Sequence, residues 1–391
     1  MSGRTAASSR VAQVDALRGF ALFGILMVNV WFFADSSHLA GGRDPSTVSG
    51  ADRLIRFAVV MFFEGKFYLL FSLLFGYGSV VLAATAGAER ERLATRRLVF
   101  LAVLGVVHGL TLFYGDILLT YALAGAILAA AASSAPRARL GLAAGITLGM
   151  ALLLVVVAVL LLGPAGTDAS AARVGPTASP ADALAANAAT YGVVLPSVLF
   201  FQGPLALAAF FAGSALAMLG VLRPEVPPRK VLWRVVVLAL PLGLAGSACS
   251  AGLDVWGGGS AASVLGTGIS VVASPLVTVG YAASLLLVLG SRGGRAVTAV
   301  LAPAGRLSLS NYLAQSAVLC LVFTGYGWGL MDRLPSVMVV VVVVVLFAAQ
   351  AAASSLILSR YRTGPLEWAL RRFVRGSSRR PSGPPAGPDG G

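Results

Sequence analysis

The sequence predicts an all-α fold, a polytopic integral membrane bundle of about ten transmembrane helices with both termini cytoplasmic. Three observations predict it. Hydrophobic residues fill 58% of the 391 positions and charged residues 11%; a soluble domain is nearer a quarter charged, so an ordinary water-soluble enzyme is excluded. Apolar runs of roughly 20 residues, enough to cross a bilayer core of about 30 Å, recur from end to end. The basic residues sit in short clusters between those runs, the pattern of charge retained on the cytoplasmic side of a membrane.

The runs lie near 14–33, 66–84, 98–113, 115–132, 139–163, 195–220, 231–253, 266–290, 307–325 and 335–358. The first is long for a signal h-region and no small-residue cleavage site follows, so it reads as a retained helix. The third and fourth are separated by Tyr114-Gly115 and must form a tight hairpin. Residues 54–63 are amphipathic and read as interfacial. Segment 164–194 is rich in Ala, Gly, Pro and Ser and reads as an external loop, with room for one short helix after Pro180. Residues 1–375 therefore form one membrane domain, and the low-complexity tail 376–391 is expected to be disordered in the cytoplasm.

Orientation follows from the 29 basic residues. Arg90, Arg92, Arg96 and Arg97, then Arg137 and Arg139, then Arg223, Arg229, Lys230 and Arg234, then Arg292, Arg295 and Arg306 occupy alternate connections. Both termini join this side, which the positive-inside rule makes cytoplasmic, in a multi-pass protein of the plasma (cytoplasmic) membrane. The same placement excludes nucleic acid as the partner of the +14 net charge, because no groove or face collects it. Near the C-terminus, GPLEW followed by Arg371 and Arg372 predicts an amphipathic helix on the inner leaflet, its arginines meeting anionic lipid. Cys249 and Cys320 lie in apolar runs and support neither a disulfide framework nor a metal site.

An ionisable side chain at the centre of a spanning helix costs about 2.5–3.5 kcal/mol on insertion scales. Such residues are therefore paired or functional. Asp15 and Arg18 share a face at the cytoplasmic start of helix one, either as an ion pair fixing the helix or as an anchor for an anionic donor. Asn29 lies towards the outer end of the same helix. Glu64 and Lys66 flank Gly65, which suggests a helix break presenting both charges outwards; downstream, Ser72 and Gly76 have the small-xxx-small spacing of close packing. His108 lies within helix three and Asp116 opens helix four, so the hairpin brings imidazole and carboxylate within reach. A carboxylate there fixes the tautomer and raises the basicity of a general base; a purely structural pair is the other reading. Asn311 and Gln315 share a face of helix nine, as interhelical glue or as substrate contacts. His38 falls in an external polar loop and reads as solvated.

Five stretches resemble the YeiB family, known by its domain of unknown function 418: VDALRGFALFGILMVNV (14–30), FFEGKFYLLFSLLFGYG (62–78), RRLVFLAVLGVVHGLTLFYGDILLTYALAG (96–125), GRLSLSNYLAQS (305–316) and GPLEWALRR (364–372), with a C-terminal signature over 305–375. That family is distantly similar to membrane acyltransferases acting on extracytoplasmic sugars, including the heparan-glucosaminide acetyltransferase type. The shared element is helix one, with Asp15, Arg18-Gly19 and a polar residue at Asn29. In the acyltransferase-three branch a catalytic His matches Asn29, so that role does not carry over. In the acetyltransferase branch an Asn stands there and a catalytic His follows helix one; His38 is roughly so placed, in surroundings that do not match. His108 belongs to the YeiB-type stretch and is the preferred base.

The resemblance implies acyl transfer from a cytoplasmic donor, with acyl-CoA as co-substrate and no permanently bound cofactor or metal, to a small-molecule or glycan acceptor. Asp15 and Arg18 would meet the donor. His108, Asp116 and Asn29 would serve catalysis, and Glu64, Lys66, Asn311 and Gln315 the substrate or oxyanion. The alternative is a proton-coupled transporter of a small solute using the same cluster. No internal repeat is visible, which counts against it.

Overall fold

In a computed structural model the structure describes residues 2–40, 49–162, 175, 177–222 and 227–375, and among them there is no strand. The helices are α1 (Ser2–Asn29), α2 (Trp31–Ala34), α3 (Gly50–Phe62), α4 (Lys66–Ala86), α5 (Arg90–Thr111), α6 (Leu118–Ala130), α7 (Pro136–Leu160), α8 (Pro180–Ser197), α9 (Gly203–Met218), α10 (Arg229–Trp256), α11 (Ser260–Leu289), α12 (Gly294–Arg306), α13 (Ser308–Phe323), α14 (Ser336–Arg360) and α15 (Pro365–Arg375). Eight segments among the described residues are long and apolar enough to cross a membrane, and α6 and α13 are shorter apolar helices. Each of the ten apolar runs falls on one of these.

The predicted break at Gly65 is present, and glycine is what makes it: its φ of 84° is left-handed, a region side chains with a Cβ avoid. A break inside a membrane frees backbone carbonyls that must find donors within the protein. They do. The Lys66 ammonium donates to the Val60 carbonyl at 2.7 Å, Thr278 donates to the Lys66 carbonyl at 2.9 Å, and the Tyr281 hydroxyl donates to the Phe62 carbonyl at 3.1 Å. α3 and α4 are thus tied to α11.

Close crossings centre on glycines. A Cβ on Gly76 would strike the Phe210 backbone and one on Gly213 the Leu73 backbone, so the small-residue stripe on α4 does seat α9. A Cβ on Gly19 would strike the Leu301 carbonyl, and one on Gly305 the Asp15 carbonyl. α1 and α12 touch backbone to backbone, which sets Arg18 and Arg306 at the same end of the bundle.

Three expectations are corrected. The short helix allowed for after Pro180 is present but is longer than expected: it fills the rest of the supposed external loop and runs into α9 as one 39-residue segment, Pro180–Met218. Pro196 lies inside α8 and removes a helical donor; the π-helical turn Val198–Gln202 that follows absorbs it. Residues 294–306, read as a connection, form the amphipathic α12. His38 is half-buried, edge-on to Phe32 at 4.4 Å between ring centroids, and burial with the nearby Arg56 pushes its pKa down to about 3. Residues 163–174, 376–391 and Arg223 lie outside the described residues.

Gly305→Ala is expected to lower stability in detergent by about 1–3 kcal/mol, because the new methyl overpacks a backbone contact. Gly141→Ala, with nothing within 4 Å of its new Cβ, should be neutral or stabilising by a few tenths to about 1 kcal/mol. Equal shifts of the thermal midpoint in the two variants would contradict the crossing.

Candidate functional site

The α5–α6 hairpin does what its sequence predicts. His108 Nδ1 and Asp116 Oδ1 are 2.7 Å apart and both side chains are fully buried. The carboxylate's other oxygen, Oδ2, accepts from the Leu119 N–H at 3.2 Å, so Asp116 caps the first turn of α6 while holding the imidazole. Capping with a carboxylate also suits the positive end of the helix dipole. Gly105 makes the approach possible: a Cβ there would lie 2.8 Å from Asp116 Oδ2.

The turn is held from three further sides. Asn187 on α8 accepts from the Tyr114 N–H and donates to the Gly109 carbonyl. The Tyr114 hydroxyl donates to the Phe32 carbonyl, and the Tyr326 hydroxyl to the Thr111 carbonyl. With Asp116 accepting from Nδ1–H, a neutral His108 carries its lone pair on Nε2, and Nε2 has no hydrogen-bond partner among the described residues. A basic nitrogen held in one tautomer with its lone pair unspent is the arrangement of a general base.

A cavity of about 670 Å³ leads towards this pair from the arginine-rich end. Its mouth carries Arg18, Arg97, Arg306, Arg371 and Arg375 against one carboxylate, Glu367. Its walls are apolar, with Leu22 and Ile25 following Arg18 on α1 and Phe71 and Phe75 on α4. Leu101 lies one turn beyond Arg97 on α5 and lines the cavity with it; His108, two turns further along the same helix, is buried beyond that lining. Arg97 and His108 are eleven positions apart, roughly 16 Å along the axis. At the inner end Tyr312 lines the cavity and lies with its ring 5.2 Å from the imidazole, centroid to centroid.

The mouth is built by α15. Glu367 Oε1 accepts from the backbone N–H groups of Leu309 and Ser310, and Oε2 from the Ser310 hydroxyl at 2.6 Å. One helix therefore caps the N-terminus of another, and in doing so lays its Arg371 and Arg375 beside the cavity. Arg306 reinforces the join by donating to the Arg362 carbonyl.

The other sequence-predicted residues divide. Asp15 pairs with Arg18 at 3.0 Å, and Arg18 faces the cavity. Glu64 lies 3.3 Å from Arg56, which also bonds Asp254 at 2.9 Å; with Lys66 spent on Val60, neither Glu64 nor Lys66 lines this cavity. Asn29, half-buried, is the last residue of α1 and does not line it either. Asn311 donates to the Ala304 carbonyl and to Ser354, and Gln315 to Gln350, which donates in turn to the Asn311 carbonyl. These amides clasp α13 to α14. Tyr312, Arg97 and Glu367 were missed, although Tyr312 adjoins Asn311 in the same quoted stretch.

Residues 216–377 match the family model described as a protein of unknown function, DUF418. The chain is 27% identical to the Bacillus subtilis uncharacterized protein YxaH, covering 94% of each. It is also 27% identical to the Escherichia coli uncharacterized protein YeiB, covering 93% of this chain and 96% of that one. The chain is thus similar to DUF418 over residues 216–377 and to YxaH and YeiB over nearly its whole length. A 127-residue stretch, 32% of the chain and 34% of the relative, is 34% identical to an uncharacterized 39.9 kDa protein from the amylase 3′ region of Bacillus acidopullulyticus. No solved structure matches. The family match covers Arg306, Tyr312 and Glu367; His108 and Asp116 lie outside it, within the span shared with the two full-length relatives.

In a double-mutant cycle on thermal stability, Asp116→Ala and His108→Ala should show a coupling of about 0.5–3 kcal/mol. Additive effects would mean that the buried contact contributes nothing.

Proposed function

We propose that this protein is a plasma-membrane acyltransferase that takes an acyl group from a cytoplasmic donor of the acyl-CoA type and passes it to a hydroxyl or amine on an extracytoplasmic or lipid-linked acceptor. The observation that carries the reading is the arginine-mouthed, apolar-walled cavity whose inner residue, Tyr312, touches the His108 imidazole. Arginine forks suit phosphate groups, and the apolar walls suit an acyl chain. A volume of about 670 Å³ falls within the roughly 300–1,000 Å³ of ligand pockets.

In this reading the donor's phosphates rest among Arg18, Arg97, Arg306 and Arg371, and its thioester reaches Tyr312. His108 Nε2 removes the proton from the acceptor as the acceptor's oxygen or nitrogen attacks the thioester carbonyl. Asp116 holds the ring and stabilises the imidazolium. The Tyr312 hydroxyl donates to the oxyanion. The C–S bond then breaks and the thiolate leaves with the proton from His108. The exposed Trp368 and Phe373 of α15, with Arg372 over Trp368, would rest on anionic lipid of the inner leaflet.

Radiolabelled acyl-CoA supplied to the purified protein in liposomes should give a labelled lipid, glycan or protein. His108→Ala should lower its rate by about 10²–10⁴-fold, the contribution of a general base. Absence of a labelled product, together with solute uptake driven by a pH gradient, would overturn acyl transfer in favour of transport.

A further inference from the structure

A second cavity, of about 470 Å³, shares Arg97, Phe75 and Leu82 with the first. Its walls come from α4, α5, α6 and α9 and are mostly apolar, with Ala94, Leu98, Leu128 and Ala129 among them. Leu82 and Met218, which also line it, are 36% and 41% exposed. That exposure puts its rim where acyl chains of the bilayer lie. Its polar lining is Ser79, Arg90, Glu91, Thr95, Arg97 and Arg139.

Those groups differ in what they have left to give. Arg139 donates to the carbonyls of Ala131, Ala132 and Ser134 and so closes the end of α6. Ser79 donates to the Phe75 carbonyl. The Arg97 guanidinium lies over the Phe75 ring, 4.3 Å from its centroid, and forms no ion pair with a carboxylate among the described residues. A half-buried guanidinium without a counter-charge, in an apolar setting, is costly and marks an anion pathway or site. Arg90, exposed at the start of α5, stands two turns from it on the same helix.

We propose that this smaller cavity is a binding site for an anionic glycerophospholipid, its phosphate held between Arg90 and Arg97 and one acyl chain lying along Ala94, Leu98 and Ala129. The site adjoins the donor cavity and does not depend on acyl transfer. Because Arg97 belongs to both, the two ligands share one cation and the lipid bears on the affinity of the donor. The guanidinium fork supplies the contacts to the phosphate oxygens, and the apolar slot excludes a free phosphate ester of the same charge.

The test is native mass spectrometry of the full-length protein in detergent, titrated with phosphatidylglycerol or phosphatidylcholine of identical chains, beside a separate titration with an acyl-CoA. Phosphatidylglycerol should bind about tenfold tighter than phosphatidylcholine, the scale of one charge-assisted contact. Glycerol 3-phosphate should not displace it. Ala94→Phe and, from the facing helix, Ala129→Leu fill the slot and should each abolish phosphatidylglycerol retention while acyl-CoA binding persists. Arg97→Gln should weaken both ligands. Equal retention of the two lipids, displacement by glycerol 3-phosphate, or unchanged retention in both slot-filling variants would overturn the proposal and leave the donor reading intact. Loss of acyl-CoA binding in the unmodified protein would overturn the donor reading and leave this one standing.

Discussion

The interior is organised around the 2.7 Å hydrogen bond between His108 and Asp116. Two ionisable groups fully buried in an apolar bundle are tolerable when each satisfies the other. Asp116 does more than that, because its second oxygen closes the first turn of α6. The hairpin, the helix cap and the orientation of the imidazole are one construction, and neither helix can shift without breaking it. It leaves Nε2 buried without a hydrogen-bond partner among the described residues, on a ring packed against Tyr312, which lines the cavity from the arginine-rich end.

The remaining polar groups sort by whether their hydrogen-bonding capacity has been used. Lys66, Arg139, Asn311 and Gln350 are committed to carbonyls or amides of neighbouring helices. They are the price of breaks and ends inside a membrane, where water cannot serve as partner. Arg97 and α15's Arg371 and Arg375 are committed in no such way; all three line the larger cavity and Arg97 the smaller as well. Depth and expenditure together separate scaffold from site more sharply than charge alone.

Much of this was legible in the sequence because it is local. The Tyr114-Gly115 turn fixes which residues of α5 and α6 can meet, so His108 and Asp116 could be paired from spacing. Gly65 between two charges signalled a break, and Ser72 with Gly76 signalled a close crossing. The mouth of the cavity was not legible. Arg18 was expected to meet a donor, but Arg97, Arg306 and Arg371 are distant from it in the chain, and each taken singly reads as charge kept at the cytoplasmic face. Nothing local marks Glu367 as the cap of a helix that begins at Ser308.

The most direct test is an experimental structure of the protein with an acyl-CoA analogue whose thioester is replaced by a non-cleavable thioether ketone. Density for the phosphates among Arg18, Arg97, Arg306 and Arg371, with the ketone beside Tyr312 and His108, is the expected result. Density that ends elsewhere, with the Tyr312–His108 contact closed and the arginine-mouthed cavity empty, would contradict the account.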